Sequence, residues 1–579
     1  MRRSTTVVAT CGILAICAAF VASTGAQEPT PDEPLESFGE RVEVQVVEVE
    51  VRVTDRKGRP VTGLSRDQFQ LLEDGRPVDI GYFAEYQDLQ AQRASGTPAR
   101  EPAAAAPSEP APPPRPPLPD VAHLVIFLDQ LHLEPGGRGR VLEGLQTFVI
   151  GLPASVPVMV VSAARKVEVV QGFTADRSAL AQALAGQEET TAGGIFQAAA
   201  YRGTRRQIEQ IYHQYENVPG CSSPCECGFG EMEAAVRDYG GQVANDVEQT
   251  LGGLASVSAA LSGVPGRKVV LMVSDGLEAR PGLDLFHYIA DLCPQFEQEV
   301  SRNYTSEDLL GPIQDVTSDA AANRVTIYSL EAAGLRGDAA DMSIGSRQFR
   351  PSTMTQRMRT ANLQQSLYVL ADETGGEATL NANRFGDSLA AVAQDVGTYY
   401  SLGFTSDHAG DGQAHTIRVE VDAPHHDLRY RKAYSAKPIE TRIAEGAVAS
   451  LVFGYEANPL NVSVEIGEPV PVAGKGSSVP VSIRVPLSSL ALDPGSSGEI
   501  GRVRLMLTAI DGRGHWTPIR QKLVGIKAAA EEDRATAVRT FEVEMELPAG
   551  EHVLAVGVRD ELGGEVSFVR QTFQVASRR

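Results

Sequence analysis

Two apolar runs in this chain end on carboxylates. Residues 124–128 run into Asp129, and residues 269–273 run into Ser274-Asp275-Gly276. Unbroken apolar runs of this kind suit parallel strands covered on both faces, and the carboxyl ends of such strands are where open α/β sheets bind ligands. Two carboxylates on one rim could bind a ligand through their oxygens. They could also hydrolyse an envelope polymer, if they faced a groove at catalytic separation. The rest of a catalytic set is missing. The sequence has no His-Glu-x-x-His, no Gly-x-Ser-x-Gly and no phosphate-cradling Gly-x4-Gly-Lys-Ser/Thr. His132 lies beside Asp129 with no evident nucleophile, and a lone histidine at a strand end is usually a loop residue. The expectation is a protein that is not an enzyme.

The second reactive group is the cysteines. Residues 1–26 read as a signal peptide: Arg2-Arg3, an uncharged apolar stretch from 7 to 21, then small residues up to Ala26. Cleavage after Ala26 leaves Cys221, Cys225, Cys227 and Cys293. An even count in an exported chain reads as two disulfides, with three connectivities open. Cys-x3-Cys-x-Cys is not a standard zinc spacing. The bridges are expected to staple a polar, glycine-rich loop over 219–230. No later apolar run approaches the roughly 20 residues of a membrane span.

The elements that must position these groups follow from the hydrophobic pattern. From residue 121 strands alternate with helical segments. Strands are expected at 124–128, 156–162, 167–170, 268–273, 325–330 and 378–380. Helices are expected at 138–150, 175–184, 195–215, 232–261, 363–371 and 385–396. Asp176 is the cap of the second helix. Such alternation demands a mostly parallel, doubly wound sheet with helices on both faces. Residues 41–88 alternate β-branched and polar residues and form a small N-terminal β-domain. Residues 91–119 are a Pro/Ala-rich linker that cannot bury a core. Residues 399–436 read as a β extension of the sheet's edge, with one ring of Tyr399-Tyr400 packed and the other nearer water. Residues 445–579 are short strands separated by turn residues, the pattern of a β-sandwich.

The net charge is -22, from 52 basic and 74 acidic residues among 579. That balance excludes phosphate-backbone binding, which needs clustered Lys and Arg, so no nucleic-acid partner is expected.

Four stretches resemble the VWFA-related domain proteins abundant in Acidobacteria. They are 51–61 with its continuation to Glu73-Asp74-Gly75, Pro265 to Gly276, Leu370 to Gly376, and Tyr399 to Phe404 followed by 429–434. The resemblance covers roughly residues 41–436. It implies a von Willebrand factor A-like domain over 121–436, with a cysteine-containing insertion at about 195–262. Such domains usually hold Mg²⁺ at the top of the sheet through Asp-x-Ser-x-Ser, a middle-loop Thr and a later Asp. Carried onto this chain, the ligands are Asp129, Asp275 and Thr191. Leu131 and Leu133 stand where the two hydroxyls should be, and apolar side chains cannot coordinate Mg²⁺. The metal site therefore reads as degenerate. Either no cofactor binds and the two aspartates hold loops by hydrogen bonds, or a remodelled site holds Mg²⁺ or Ca²⁺ weakly, with Glu134 compensating. The resulting expectation is an exported, periplasmic or extracellular, adhesion-type protein. Its top-face loops would bind a protein or another cell-envelope ligand. The alternatives are a divalent-dependent adhesin and, from another class, an envelope-polymer hydrolase.

Overall fold

A computed structural model of the chain describes residues 46–86 and 122–576, apart from 57, 154, 191, 265, 299–307, 335–349, 383–384, 409, 424–425, 473–475, 496–497 and 529–532. The signal-peptide and linker readings (1–26 and 91–119) lie outside the described residues. Among those residues no helix is long and apolar enough to cross a membrane.

Four strands come first: β1 (Val46–Asp55), β2 (Phe69–Glu73), β3 (Arg76–Val78) and β4 (Tyr82–Tyr86). The α/β body follows. Its strands are β5 (His123–Asp129), β6 (Val158–Ala163), β7 (Val167–Thr174), β8 (Lys268–Ser274), β9 (Val325–Glu331) and β10 (Ala378–Thr379). Its helices are α1 (Pro135–Gly151), α2 (Arg177–Gly186), α3 (Gly194–Tyr215), α4 (Pro224–Leu261), α5 (Leu283–Leu292), α6 (Leu310–Ala322), α7 (Thr353–Glu373) and α8 (Phe385–Gly397).

The sheet order is β10-β9-β8-β5-β6-β7. All neighbours are parallel except β6 and β7. The order reverses between β5 and β8, which makes their carboxyl ends the topological switch point. Every residue of β5, β8 and β9 is buried. Alternate side chains feed opposite layers. Leu124, Ile126 and Leu128 pack with α1, α2 and α8, while Val125 and Phe127 pack with α4 and α7. The fold is thus mixed α/β, a six-stranded, mostly parallel sheet with additional antiparallel sheets.

Those further sheets correct one expectation. Strands β11 (Tyr399–Thr405), β12 (Ala414–Val421), β13 (His426–Arg429) and β14 (Ala433–Ser435) do not extend the α/β sheet. They pair with the first four strands, as β13-β1-β11-β4 and β14-β12-β2-β3. The two sheets enclose a shared core that includes Val49, Val51, Phe69, Leu71, Tyr400, Leu402 and Val419. Residues 46–86 and 399–435 therefore form one two-layered module. Because β11 lies between β1 and β4, Tyr399 and Tyr400 are both buried, where one was expected nearer water. Tyr399 stacks on Tyr86 at 4.8 Å, and Tyr400 meets Phe69 at 5.1 Å.

A titrating pair holds β12 to the β2–β3 turn. Asp74, at φ 48°, places Oδ2 2.8 Å from His415 Nδ1 and accepts the Thr416 backbone N–H at 2.8 Å. His415 Nε2 meets Asp411 Oδ2 at 3.1 Å, and its ring lies between those of His408 and Tyr434. The hydrogen bonds from His415 and the Thr416 backbone hold the Asp74 carboxyl down to about 2. Burial works against the His415 imidazolium, but Asp74 and Asp411 outweigh it and raise the imidazole above 6.5. A depressed carboxyl stabilises the fold above its unfolded value of 3.8 and stops doing so as pH falls toward 2. A raised imidazole stabilises it below 6.5 and stops doing so as pH rises through the folded value. The module is therefore expected to be tightest between these limits. Amide exchange of 414–421 should accelerate at pH 9 relative to pH 6, after correction for intrinsic rates. His415→Gln should remove that alkaline difference.

After α9 (Ile439–Phe453), residues 463–575 build two antiparallel sheets. Gly476–Pro486 pairs with Val538–Leu547 in one, and Gly498–Asp511 with Gly550–Asp560 in the other. Val481, Ile483, Leu505, Leu507, Leu554 and Val556 fill the space between them. Helix α9 packs Ile443, Ala447 and Leu451 beneath the second sheet, against Met506 and Phe568.

Candidate functional site

The rim at the switch point is built from the ends of β5 and β8. Beyond β5 the chain turns at once: the His132 and Leu133 N–H groups both reach back to the Asp129 carbonyl, at 3.3 and 3.0 Å. The Gly193-Gly194 segment lies on this turn. The Gly193 N–H donates to Gln130 O at 2.6 Å and the Gly194 N–H to Leu133 O at 3.1 Å. A Cβ on Gly193 or Gly194 would fall 2.7 or 2.6 Å from a carbonyl oxygen of the turn, so this approach requires glycine. The middle loop thus meets the rim through its backbone. Thr190 points elsewhere, donating to Gln187 O at 2.8 Å and accepting from Arg138 at 3.2 Å. Thr191, the expected hydroxyl ligand, lies outside the described residues.

Asp129 is fully buried, at 0% exposure. Its Oδ2 accepts from Ser274 Oγ at 2.7 Å and its Oδ1 from Thr250 Oγ1 at 3.1 Å. His132 Nδ1 sits 2.9 Å from Oδ2 and 3.0 Å from Oδ1, bridging the carboxylate. Burial disfavours a charged His132 imidazole. The Asp129 charge and hydrogen bond, with Asp246 and Glu278 beyond, overcome that and raise its pKa above 6.5. When protonated, the imidazole sets a positive charge against the buried carboxylate.

Asp275 is at the same end of the sheet and does other work. Its Oδ2 accepts the Glu134 backbone N–H at 2.6 Å, at the N-cap of α1, a favourable place for a negative charge. His132, Asp275, Glu134, Glu278, Tyr239 and Arg359 line a small cavity of about 30 Å³. His132 Nε2 is buried and has no hydrogen-bond partner among the described residues. Glu278 accepts from Tyr239 at 2.6 Å and from the Gly282 N–H at 2.8 Å. Burial and then the nearby Asp284 charge raise the Glu278 carboxyl, against the pull of Arg359. Asp284 in turn accepts from Tyr201 at 2.6 Å and lies 3.5 Å from Arg359.

A hard divalent ion needs several oxygen ligands in near-octahedral array. Both Asp129 oxygens are already engaged by two hydroxyls and an imidazole. Leu133 belongs to the apolar core, where the ion would want a hydroxyl. Around Asp129 the positions are taken by the Ser274 and Thr250 hydroxyls and the His132 imidazole. Asp129 and Asp275 share the rim, each with its own hydrogen-bond partners.

Sequence reasoning set His132 aside as a loop residue, whereas it is buried, and it missed Ser274 and Thr250 as partners of Asp129. Ser274 stands next to Asp275 in a stretch already singled out, so its proximity to β5 was within reach. The role of His132 required knowing that the turn after Asp129 folds back on its carboxylate. Thr250 had no signal at all, being one hydroxyl inside a helix of 38 residues.

Above the rim, α3 and α4 form a hairpin and α5 packs along it. Tyr215 donates to Glu231 at 2.7 Å, Tyr288 to Glu209 at 2.9 Å, and Phe229 stacks on Phe296 at 4.5 Å. The cysteines pair as Cys221–Cys227 and Cys225–Cys293. Residues 224–230 are helical where a loop was expected. Ser223 caps the helix by accepting the Glu226 N–H at 3.1 Å, and Pro224 occupies its first position. At the foot of the hairpin Ile195 and Phe196 are 46% and 67% exposed, beside cavity-lining Gly194 and Gln197.

No family model and no curated protein matches the chain. Several solved structures are similar to part of it. An aerotolerance-related membrane protein from Bacteroides fragilis shares 12% identity over 48% of this chain and 98% of that chain, with a TM-score of 0.22. BatB from Bacteroides thetaiotaomicron shares 10% over 48% and 97%, with a TM-score of 0.21. The vWF domain of the type V pili tip protein Mfa5 from Porphyromonas gingivalis shares 10% over 48% and 96%, with a TM-score of 0.23.

Proposed function

We propose that this chain is an exported, non-enzymatic binding protein that docks another protein on the carboxyl rim of its α/β sheet without a metal ion. The observation that carries the reading is the closure of His132 over Asp129: the imidazole faces the carboxylate that an ion-dependent domain would leave open to its ligand. Asp129 has no exposure with which to act as a general acid or base, and Asp275 caps a helix. This geometry also speaks against the hydrolase reading. The exposed Ile195–Phe196 pair supplies the apolar contact that a protein partner would cover. Two disulfides suit an oxidising compartment.

The test pairs capture with titration. Mature protein carrying a photo-crosslinker at 197 should retain an envelope partner in EDTA. Phe196→Glu should weaken that capture by about tenfold or more, the scale of an interface hot spot, while leaving the circular dichroism unchanged. A partner indifferent to Phe196→Glu would overturn the reading. So would saturable binding of Mg²⁺, Mn²⁺ or Ca²⁺ that Asp129→Ala and Asp275→Ala abolish, which would establish the ion-dependent adhesin instead.

A further inference from the structure

At the opposite pole of the α/β sheet lies a cavity of about 250 Å³, much larger than the one at the rim. Three parts of the molecule meet there: β1 of the two-layered module, the amino ends of β8 and β9, and the start of α9. Lys268, Arg324, Arg431, Lys437 and Arg442 line it, against two carboxylates, Glu48 and Glu445. Five cations around one cavity contrast with a chain whose net charge is -22.

Both carboxylates are already engaged. Glu48 pairs with Arg324 at 3.1 Å and accepts from Ser401, and Glu445 pairs with Lys437. Arg431 is different. Its guanidinium donates to two backbone carbonyls, Glu48 O at 2.6 Å and Ala321 O at 3.4 Å. No carboxylate among the described residues lies within ion-pair distance of it. Burial, and then the Arg324 charge, pull its pKa down to about 9, against the opposing charges of Glu50 and Glu48. It stays protonated at neutral pH. The start of α9 adds to the field: Pro438 is its N-cap and gives no side-chain acceptor, and Ile439 and Arg442 of the first turn line the cavity.

We propose that this junction binds a small tetrahedral dianion of the phosphate class, held by the Arg431 guanidinium with Arg442 and the first turn of α9. Guanidinium forks match phosphate oxygens in pairs, and helix N-termini favour anions. The volume suits a free ion or a phosphoryl group on a small molecule, being below the usual range for drug-sized ligands. Because three parts of the chain line the site, an anion bound there would tie them together.

The test is calorimetric titration of the full chain with sodium phosphate at constant ionic strength. Saturable heat is expected at one site per chain, with a rise in the thermal midpoint that sodium chloride does not reproduce. Arg431→Met should weaken phosphate by about tenfold or more, the loss of a charge-assisted contact. Competition by O-phosphoserine would support a phosphoryl group as ligand, and phosphate heat without that competition would support the free ion. If Arg431→Met fails to fold by circular dichroism, Arg442→Gln provides the same comparison. No saturable phosphate heat, or unchanged affinity in a folded variant of the pair, would overturn the proposal. The rim is untouched by these variants, so partner capture there should persist whichever result is obtained.

Discussion

Asp129→Ala is expected to destabilise the α/β body by about 3–5 kcal/mol, the usual cost of removing one partner from a buried ion pair. The substitution strips three groups at once of their acceptor: His132 Nδ1, Thr250 Oγ1 and Ser274 Oγ. A buried imidazolium without its carboxylate must lose its proton or draw in water, and each buried hydroxyl left unpaired costs roughly 1–3 kcal/mol at most. Asp129→Asn should cost less, because the amide oxygen still accepts hydrogen bonds while the charge is lost. His132→Leu should approach Asp129→Ala, because it leaves a carboxylate buried with only two hydroxyl donors. The two lesions should not add. In the double variant neither charge remains, so its cost should fall short of the sum by a coupling of about 1–3 kcal/mol. Urea denaturation followed by far-UV circular dichroism measures all four proteins. The single tryptophan, Trp516, sits in the C-terminal sheets and would report on the wrong part of the chain. Single variants costing under about 1 kcal/mol, with strict additivity, would mean that His132 and Asp129 do not form a buried pair. Adding Mg²⁺ is expected to leave every midpoint in place.

The strands that bear this site were legible because their signal is local. Residues 124–128 and 269–273 are apolar without interruption, and burial on both faces is the physical reason. Their shared rim followed from the alternation of strands and helices, since right-handed crossovers leave few sheet orders. The two-layered module was half legible. Alternation marked β1 as a strand, but nothing in residues 46–55 names a partner at 399–405. Pairing such as Val46 with Thr405 is set by the collapsed chain and leaves no local trace. The helix start at Pro224 was readable after all. Ser223 followed by Pro224 and Glu226 is a helix N-terminus signature, overlooked because the cysteines and glycines around it suggested a loop. At the site itself, sequence placed the two aspartates at the ends of neighbouring strands. It left unread the partners of Asp129, because the His132–Asp129–Thr250 contact joins a turn to the middle of a distant helix.

Removing the Cys225–Cys293 bridge, as Cys225→Ser with Cys293→Ser, should cost about 4 kcal/mol; removing Cys221–Cys227 should cost about 2 kcal/mol. The difference comes from loop length. The first bridge closes a separation of 68 residues and the second only 6, so the first restricts the unfolded chain far more. The first also joins buried side chains on two helices, the opening turn of α4 and the end of α5. Beside it, the Phe229–Phe296 stack and the Tyr288–Glu209 hydrogen bond also hold α5 to the hairpin. The same two helices carry Tyr239 and Asp284 toward the rim, so the bridge reaches the proposed docking surface through rigid helix. Thermal unfolding of the two double-serine variants, with exchange of the amides in 205–240, distinguishes the contributions. The longer bridge should dominate the midpoint and speed exchange throughout the hairpin, while loss of the shorter one should stay confined to the first turn of α4. Equal losses from both would show that the tip opens independently of the body, and that the hairpin is tethered to the rim rather than braced against it.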